Sequence, residues 1–409
     1  MSEPPARPSD PGPATEVPVG SAVEVLRVAG HLGLTSFGGP IAHLGYFHRE
    51  YVERRGWLDE ATYADLVALC QSLPGPASSQ LGIAIGTLRA GIRGGLAAWF
   101  GFTLPSVVVL VAFGLLANSA DLSQAGWVHG LKLAAVAVVA QAVWLMARSL
   151  TPDWPRRAMA IVAAGLSLAW ASAFSQVAII LGGALVGWLV LRPGVAARAG
   201  SDLRVVPRRF GIAALGLFTG LLLGLPLLNG AGGHPLEFFE GFYRSGALVF
   251  GGGHLVLPLL HTRVVDPGWV TNDQFLAGYG AAQVVPGPLF SFSAYLGTVE
   301  GPAPNGIVGA LIAVVGIFLP GILLIFGTLP FWAMLRGSIP FGRALAGTNA
   351  AVVGILLAAL YTPVWTSAVG SAADVAVAAG ALGLLLTRRV PPIVVVVFAA
   401  AAGQVLVAV

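Results

Sequence analysis

"QSLPGPASSQ" fills residues 71–80, and "QVVPGPLFSF" fills residues 283–292. Proline has no backbone N–H and clashes with the turn before it, so Pro-Gly-Pro ends a helix. Both copies lie inside apolar runs of membrane-spanning length, 61–88 and 272–299. A break there frees backbone N–H and C=O groups in a medium that cannot hydrogen-bond them. The chain makes this break twice, each time with Gln three residues ahead of the first proline (Gln71, Gln283). The fold follows from asking what those freed groups are for.

The 409 residues are 56% hydrophobic and 10% charged. A soluble domain carries about 25% charged residues, so the chain reads as an all-α polytopic membrane protein. The alternating segments of a β-barrel do not occur. One cysteine, Cys70, excludes an internal disulfide and a Cys-rich metal site. Residues 1–19 are Pro-rich and polar and are expected to form a disordered tail. The net charge of +4 is almost all Arg, with Lys132 the one lysine. In a membrane protein these residues report orientation, not nucleic-acid binding.

Thirteen candidate spans follow: 20–36, 61–88, 94–117, 127–149, 158–172, 175–191, 210–229, 236–250, 272–299, 304–328, 341–361, 367–387 and 392–408. The halves repeat. Gly33, Phe37, Gly38 and Gly39 fall on Gly246, Phe250, Gly251 and Gly252; Trp57 lies 17 residues before Pro74, and Trp269 lies 17 before Pro286. "IGTL" (85–88) matches "LGTV" (296–299), and "FTLP" (102–105) matches "IFLP" (317–320). The expected units are a first repeat (20–191), a basic linker with one connecting helix (192–235), and a second repeat (236–409). Six spans and one extra crossing turn the second repeat upside down. With the N-terminus cytoplasmic and the C-terminus outside, the Arg clusters fall in inner loops. Arg49, Arg54 and Arg55 are exceptions, balanced by neighbouring acids.

Paired broken helices in inverted repeats are a transporter signature, with substrate bound near the midplane. Pro74 ends one half-helix, Pro76 suits the first turn of the next, and Ser78 and Ser79 fall in that turn. The free N–H groups and the helix dipole there attract an anion. Phe37-Gly38-Gly39-Pro40 is a second break whose glycines can form an anion nest. Phe250 to Gly253, with Gly251 and Gly252, and Pro286-Gly287-Pro288 with Ser291 offer the same pair from the other half. A single Pro-Gly-Pro reads more readily as a kink or tight loop; its duplication with Gln71 and Gln283, and a Gly-Gly break before each, favours a site. Arg244 and His31 share one repeat position and are candidate cations, or interfacial anchors. Glu24 and Glu237 also match, as balancing charges for Arg27 and Arg244 or as proton carriers. Lys132 reads as a snorkelling anchor, and Asp65 as part of a polar face.

His43 and His48 are spaced i,i+5, which does not put both on one helical face, so residues 43–57 read as a wet amphipathic segment rather than a metal site. No HExxH, Gly-x-Ser-x-Gly or Walker A motif occurs. A membrane-embedded enzyme would need a polar catalytic cluster that is not recognisable here, and a scaffold subunit would not explain paired breaks.

"GLTSFGGPIAHLGYFHREYVERRGWL", "LCQSLPGPASSQLGIAIGTLRAG" and "AAWFGFTLPS" resemble the chromate ion transporter family, in its long two-domain form. "SGALVFGGGHLVLPLL" and "AAQVVPGPLFSFSAYLG" are similar to that family's second domain. The resemblance covers about residues 20–408 and implies export of chromate across the cell inner membrane by secondary antiport, giving resistance, with no cofactor. It places the family's Phe-Gly-Gly-Pro and Pro-Gly-Pro motifs on Phe37 to Pro40 and Pro74 to Pro76. The second repeat departs from the first, with Gly253 in place of Pro40. A sulfate or molybdate carrier with chromate incidental is the alternative. A proton or anion counter-substrate and a homodimer are compatible with this reading.

Overall fold

A computed structural model describes residues 20–37, 39–119, 126–170, 173–192, 206–228, 232–250, 256–335, 338–387 and 390–408. Among them there is no strand. Among the described residues, five helices are long and apolar enough to cross a membrane: Ala77–Ala117, Gly126–Leu150, Arg208–Leu228, Gly306–Phe331 and Ile339–Ala368. Large apolar side chains stand exposed along the outer helices, among them Leu181, Leu189, Ile212, Leu223 and Leu311. A surface of that kind belongs against lipid.

The first half begins with α1 (Ala22–Thr35), capped by Ser21, whose hydroxyl accepts the Glu24 N–H at 3.1 Å. At 14 residues it is about 21 Å long, short of the ~30 Å hydrocarbon core. It stops at Ser36, and α2 (Gly39–Phe47), continued by a π-helical stretch (His48–Arg54), turns back. Gly39, at φ +76°, makes the turn. The π stretch leads to Trp57, over whose ring Arg89 lies at 5.1 Å. The Gly20 N–H donates to the Arg89 carbonyl at 3.0 Å, so α1 starts at the end to which the chain returns. The next helix, α3 (Glu60–Ser72), enters from this end, capped by Asp59. It stops at Pro74-Gly75-Pro76. The first part of α4 (Ala77–Ser119) then comes back to Arg89. At Ala90 and Gly91 (φ +66°) α4 breaks and runs inward again, now for its full length. Residues 20–36 and 61–88 are therefore not single crossings. Each is part of a hairpin whose tip lies inside the molecule.

The rest of this half is α5 (Gly126–Leu150), α6 (Trp154–Ala169) and α7 (Ala173–Val190); α8 (Arg208–Gly224) connects to the second half. There the pattern repeats: α9 (Gly233–Leu248), α10 (Val256–Val264), α11 (Asn272–Ala282), a 3-10 turn leading into α12 (Phe292–Val299), and α13 (Gly306–Thr328). Gly306, at φ +60°, repeats the turn of Gly91. After a one-turn α14 (Trp332–Leu335) come α15 (Ile339–Ala359), a short α16 (Thr366–Ala368), α17 (Ala372–Leu386) and α18 (Pro392–Ala408).

The halves make equivalent contacts, both within themselves and with each other. Gly86 and Gly94 meet backbone to backbone, and so do Gly297 and Gly309. Helix α15 packs on α6 and α7, while α5 packs on α17 and α18. Gly187 lies against Gly347, and Gly130 against Ala399 and Gly403. Small residues let these backbones approach closely, which is how apolar helices gain contact in lipid. The two ends are told apart by ties at each. One end holds Gly20–Arg89, the bond from Arg343 to the Leu191 carbonyl, and Phe210 on Phe326 at 6.0 Å. The other holds His129–Asp374 at 2.7 Å, Trp127 N–H to Gln404 at 3.0 Å, and His234–Glu300 at 3.2 Å.

This layout moves two groups of arginines. Arg49, Arg54 and Arg55 turn back with α2 to the Arg89 end. Arg263 closes α10 and lies toward the other end, paired with Glu240 at 3.6 Å. Sequence reasoning had each group at the reverse end, Arg49, Arg54 and Arg55 outside and Arg263 inside, because it gave each apolar run a full crossing.

Candidate functional site

The hairpin tips interlock at the middle of the molecule. The Gly75 N–H donates to the Val249 carbonyl at 2.6 Å, and the Gly287 N–H donates to the Ser36 carbonyl at 3.0 Å. Each Pro-Gly-Pro of one half thus bonds the residue just before the Phe-Gly-Gly stretch of the other. Gly75 sits at φ +117° and Gly287 at φ +105°, a region that side chains rarely enter. Behind each tip stands a proline-bearing helix of the opposite half. A methyl group on Gly75 would lie 3.2 Å from the Gly321 Cα of α13, and one on Gly287 would lie 2.9 Å from the Ser106 Oγ of α4.

The polar groups around this crossing are buried and largely unpartnered. The first bond of the α4 ladder runs from Gln80 N–H to the Pro76 carbonyl (2.9 Å), so the N–H groups of Ala77, Ser78 and Ser79 precede it. Ser78 and Ser79 are buried, and Ser79 Oγ has no hydrogen-bond partner. Gln80 donates its Nε2 to the Pro74 carbonyl (2.9 Å) and across to the Gly321 carbonyl (3.4 Å), which leaves Oε1 buried and bare. Ser36 Oγ and Thr103 Oγ1 are buried and bare as well. Ser106 donates to the Thr103 carbonyl at 2.9 Å; its one proton is then used, so Ser291 donates to Ser106 Oγ, at 2.6 Å. His43 is fully buried and reaches the Ser36 carbonyl at 3.2 Å. A carbonyl only accepts, so Nε2 carries the proton and Nδ1 faces the interior as a lone acceptor. Residues 43–57 are thus not simply a wet amphipathic segment. Trp99, against Phe318 of the other half, holds a buried Nε1–H with no partner.

The sequence-derived site residues divide in three. Phe37, Gly39, Pro74, Gly75, Pro76, Ser78, Ser79, Pro286, Gly287, Pro288 and Ser291 belong to the crossing, and Pro40 follows within α2. Gln283, at the end of α11, bonds Tyr279 and keeps a bare Nε2. Gly38 and Gly251 to Gly253 lie outside the described residues. Gln71 and His31 are exposed and do not join the buried group. Glu24 pairs with Arg89 (3.3 Å), not with Arg27, because α4 returns beside the start of α1. Arg244 pairs with Glu240, one turn away, at 2.6 Å, rather than with Glu237. Glu240 also faces Arg263, so this cluster carries a net positive charge. Gln80, His43, Trp99 and Ser106 were missed. Gln80 ends the opening motif, but its counterpart in the second half is Phe292, so the repeat did not mark it.

Lys132 is buried and bonded to Asp273 of α11 at 2.6 Å, tying the halves together instead of snorkelling. Asp273 is half exposed and sits in the first turn of α11, where the helix dipole also supports it. Lys132→Gln is therefore expected to cost no more than about 1 kcal/mol and to leave transport near wild type; thermal melting and flux of the purified variant check this.

Apolar outer faces, helices broken in pairs and a buried polar crossing between two halves define a multi-pass membrane protein of the transporter class. A family model described as Chromate transporter matches residues 23–188 and 236–404. The chain belongs to the chromate transporter family. It is 29% identical to a "Probable chromate transport protein" of Synechococcus elongatus, over 80% of this chain and 81% of that one. It is 28% identical to the "Chromate transport protein" of Pseudomonas aeruginosa (79% of this chain, 76% of that one). The same identity links it to that of Cupriavidus metallidurans (80% and 79%). No solved structure matches.

Proposed function

We propose that the protein is a secondary active exporter of chromate in the cytoplasmic membrane, working by antiport and conferring chromate resistance. The observation that carries this reading is the interlocked crossing, where buried donors stand without partners. Chromate is a small tetrahedral dianion. It needs hydrogen-bond donors rather than covalent chemistry, and free N–H groups at a helix start suit it. The N–H groups of Ala77 to Ser79, the hydroxyls of Ser78 and Ser79, Trp99 Nε1 and Gln283 Nε2 supply them, with the Glu240–Arg244–Arg263 cluster adding positive potential. A membrane potential negative inside drives expulsion at about 2.3 kcal/mol per charge per 100 mV.

The reciprocal bonds and helix exchanges support two inverted halves. We assign nine crossings: the second part of α4, then α5, α6, α7, α8, α13, α15, α17 and α18. The hairpins α1–α2, α3–α4, α9–α10 and α11–α12 are re-entrant. An odd count puts Gly20 and α18's end on opposite sides, and Arg89, Arg93, Arg208 and Arg209 put Gly20 in the cytoplasm. Reporter fusions after Arg209 and after Val409 are expected to report cytoplasm and exterior respectively. Two cytoplasmic reports would refute the inversion. The function itself is tested by chromate flux in proteoliposomes under imposed voltage and pH gradients. No flux above protein-free vesicles under any gradient rejects it.

A further inference from the structure

The two ends of the molecule carry equivalent clasps of different chemistry. In the first half, Arg89 bonds Glu24 and lies over Trp57. In the second half, the tryptophan is Trp269, and the ring of His234 stands edge-on to it at 4.6 Å. His234 Nε2 lies 3.2 Å from Glu300 Oε2. The Gly301 N–H donates to the Trp269 carbonyl at 2.8 Å, closing the loop over the pair. An arginine keeps its charge at any working pH, and a histidine does not.

We infer that His234 and Glu300 form a one-proton site at the outer end of the second half, and that proton exchange there is coupled to passage of the anion. Glu300 is 2% exposed, and its Oε1 is buried without a hydrogen-bond partner. Gly309 of α13 closes behind that oxygen: a methyl group there would come within 3.1 Å of it. A carboxylate so placed is stable with a proton on itself or on its histidine, and unstable with neither. The surroundings add little charge. Helix α9 contributes Glu237, which raises the proton affinity of His234. Helices α12 and α13 have no charged residue, and Asp266 of the neighbouring loop faces His261 at 3.4 Å. Burial pushes the Glu300 carboxyl up to about 8 and lowers His234. With Glu300 raised above its unfolded value, the folded protein holds an extra proton between the two values. Its stability therefore falls as pH rises through that window.

The coupling rests on the proposed oxyanion transport; the proton site does not. Infrared pH titration of the purified full-length protein is expected to show a protonated-carboxyl band lost near pH 8, absent from Glu300→Gln. Should that variant not fold, His234→Gln keeps the acid and is expected to shift the midpoint by about one unit. No carboxyl titrating above about pH 6, persistence of the band in Glu300→Gln, or an unshifted midpoint in His234→Gln overturns the site. In proteoliposomes, a pH gradient is expected to change wild-type chromate flux roughly tenfold per unit while leaving Glu300→Gln responsive to voltage alone. Glu24→Gln, at the other clasp, keeps the pH response. A retained pH response in Glu300→Gln overturns the coupling. Absence of wild-type flux rejects the transport reading and leaves the infrared result to decide the proton site.

Discussion

Gly75→Ala is expected to lower chromate flux by at least about tenfold in a protein that still inserts and purifies. The residue sits at φ +117°, where an L-side chain costs about 1–3 kcal/mol. Its methyl group would also lie 3.0 Å from Gln80 Nε2 and 3.2 Å from Gly321 Cα. The tip must then shift, and the shift weakens the bond from Gly75 N–H to the Val249 carbonyl. Gly287→Ala strikes the reciprocal bond and is expected to impair flux as well, to an unequal degree, because Ser106 rather than glycine stands behind that tip. Gly165 is the control: it lies in α6 with nothing within 4 Å of an added methyl group, so Gly165→Ala should keep full flux. Flux per monodisperse protein in proteoliposomes measures all three. Wild-type flux in both tip variants would remove the crossing from the transport path. Pro74→Ala combined with Pro76→Ala asks the related question about the backbone. A continuous helix would consume the first-turn N–H groups, so chromate affinity should fall along with flux.

Glu240→Gln is expected to destabilise the second half strongly. Glu240 is buried and faces two guanidinium groups, Arg244 at 2.6 Å and Arg263 at 3.6 Å. Removing its charge leaves two cations without a counter-ion, a loss of about 3–5 kcal/mol for a buried pair. Scanning fluorimetry should show the midpoint fall by on the order of 5–10 °C. Arg244→Gln leaves Glu240 paired with Arg263, so its midpoint should fall less, while chromate flux drops because the cluster is no longer net positive. The double variant should regain only part of the stability lost in Glu240→Gln, because Arg263 is still left without its counter-ion. Equal destabilisation by the two single changes would mean that Arg263 does not serve Glu240.

What the sequence made legible is the set of backbone devices. Pro-Gly-Pro, with its left-handed glycine, and the matched tryptophans require particular residue types, so they survive as readable repeats. Direction was not legible. Hydropathy marks a segment as apolar but does not say whether the chain crosses or turns back, and α1–α2 and α9–α10 turn back. The partners of the breaks were hidden for another reason. Ser36 and Val249 do the same work through their carbonyl groups, and a carbonyl leaves no mark on residue type. The repeat also concealed what it did not share. Gln80 faces Phe292 in the alignment of the halves, and Glu300 stands where the first half has Arg89. A repeat marks only what its halves share, so neither residue stands out in the sequence.

The exchange of helices between halves dictates an order of assembly during synthesis. Gly130 of α5 packs on Ala399 and Gly403, which the ribosome adds much later. At about 5–20 residues per second, α5 waits on the order of tens of seconds for that partner. During the wait, its small-residue face and Lys132 have no native neighbour, because Asp273 too is made much later. The nascent first half must therefore sit in the bilayer as an unfinished bundle, shielded by lipid or by the insertion machinery. A chain stopped anywhere before α18 leaves that face open, so truncated products should be degraded instead of accumulating as half-sized proteins.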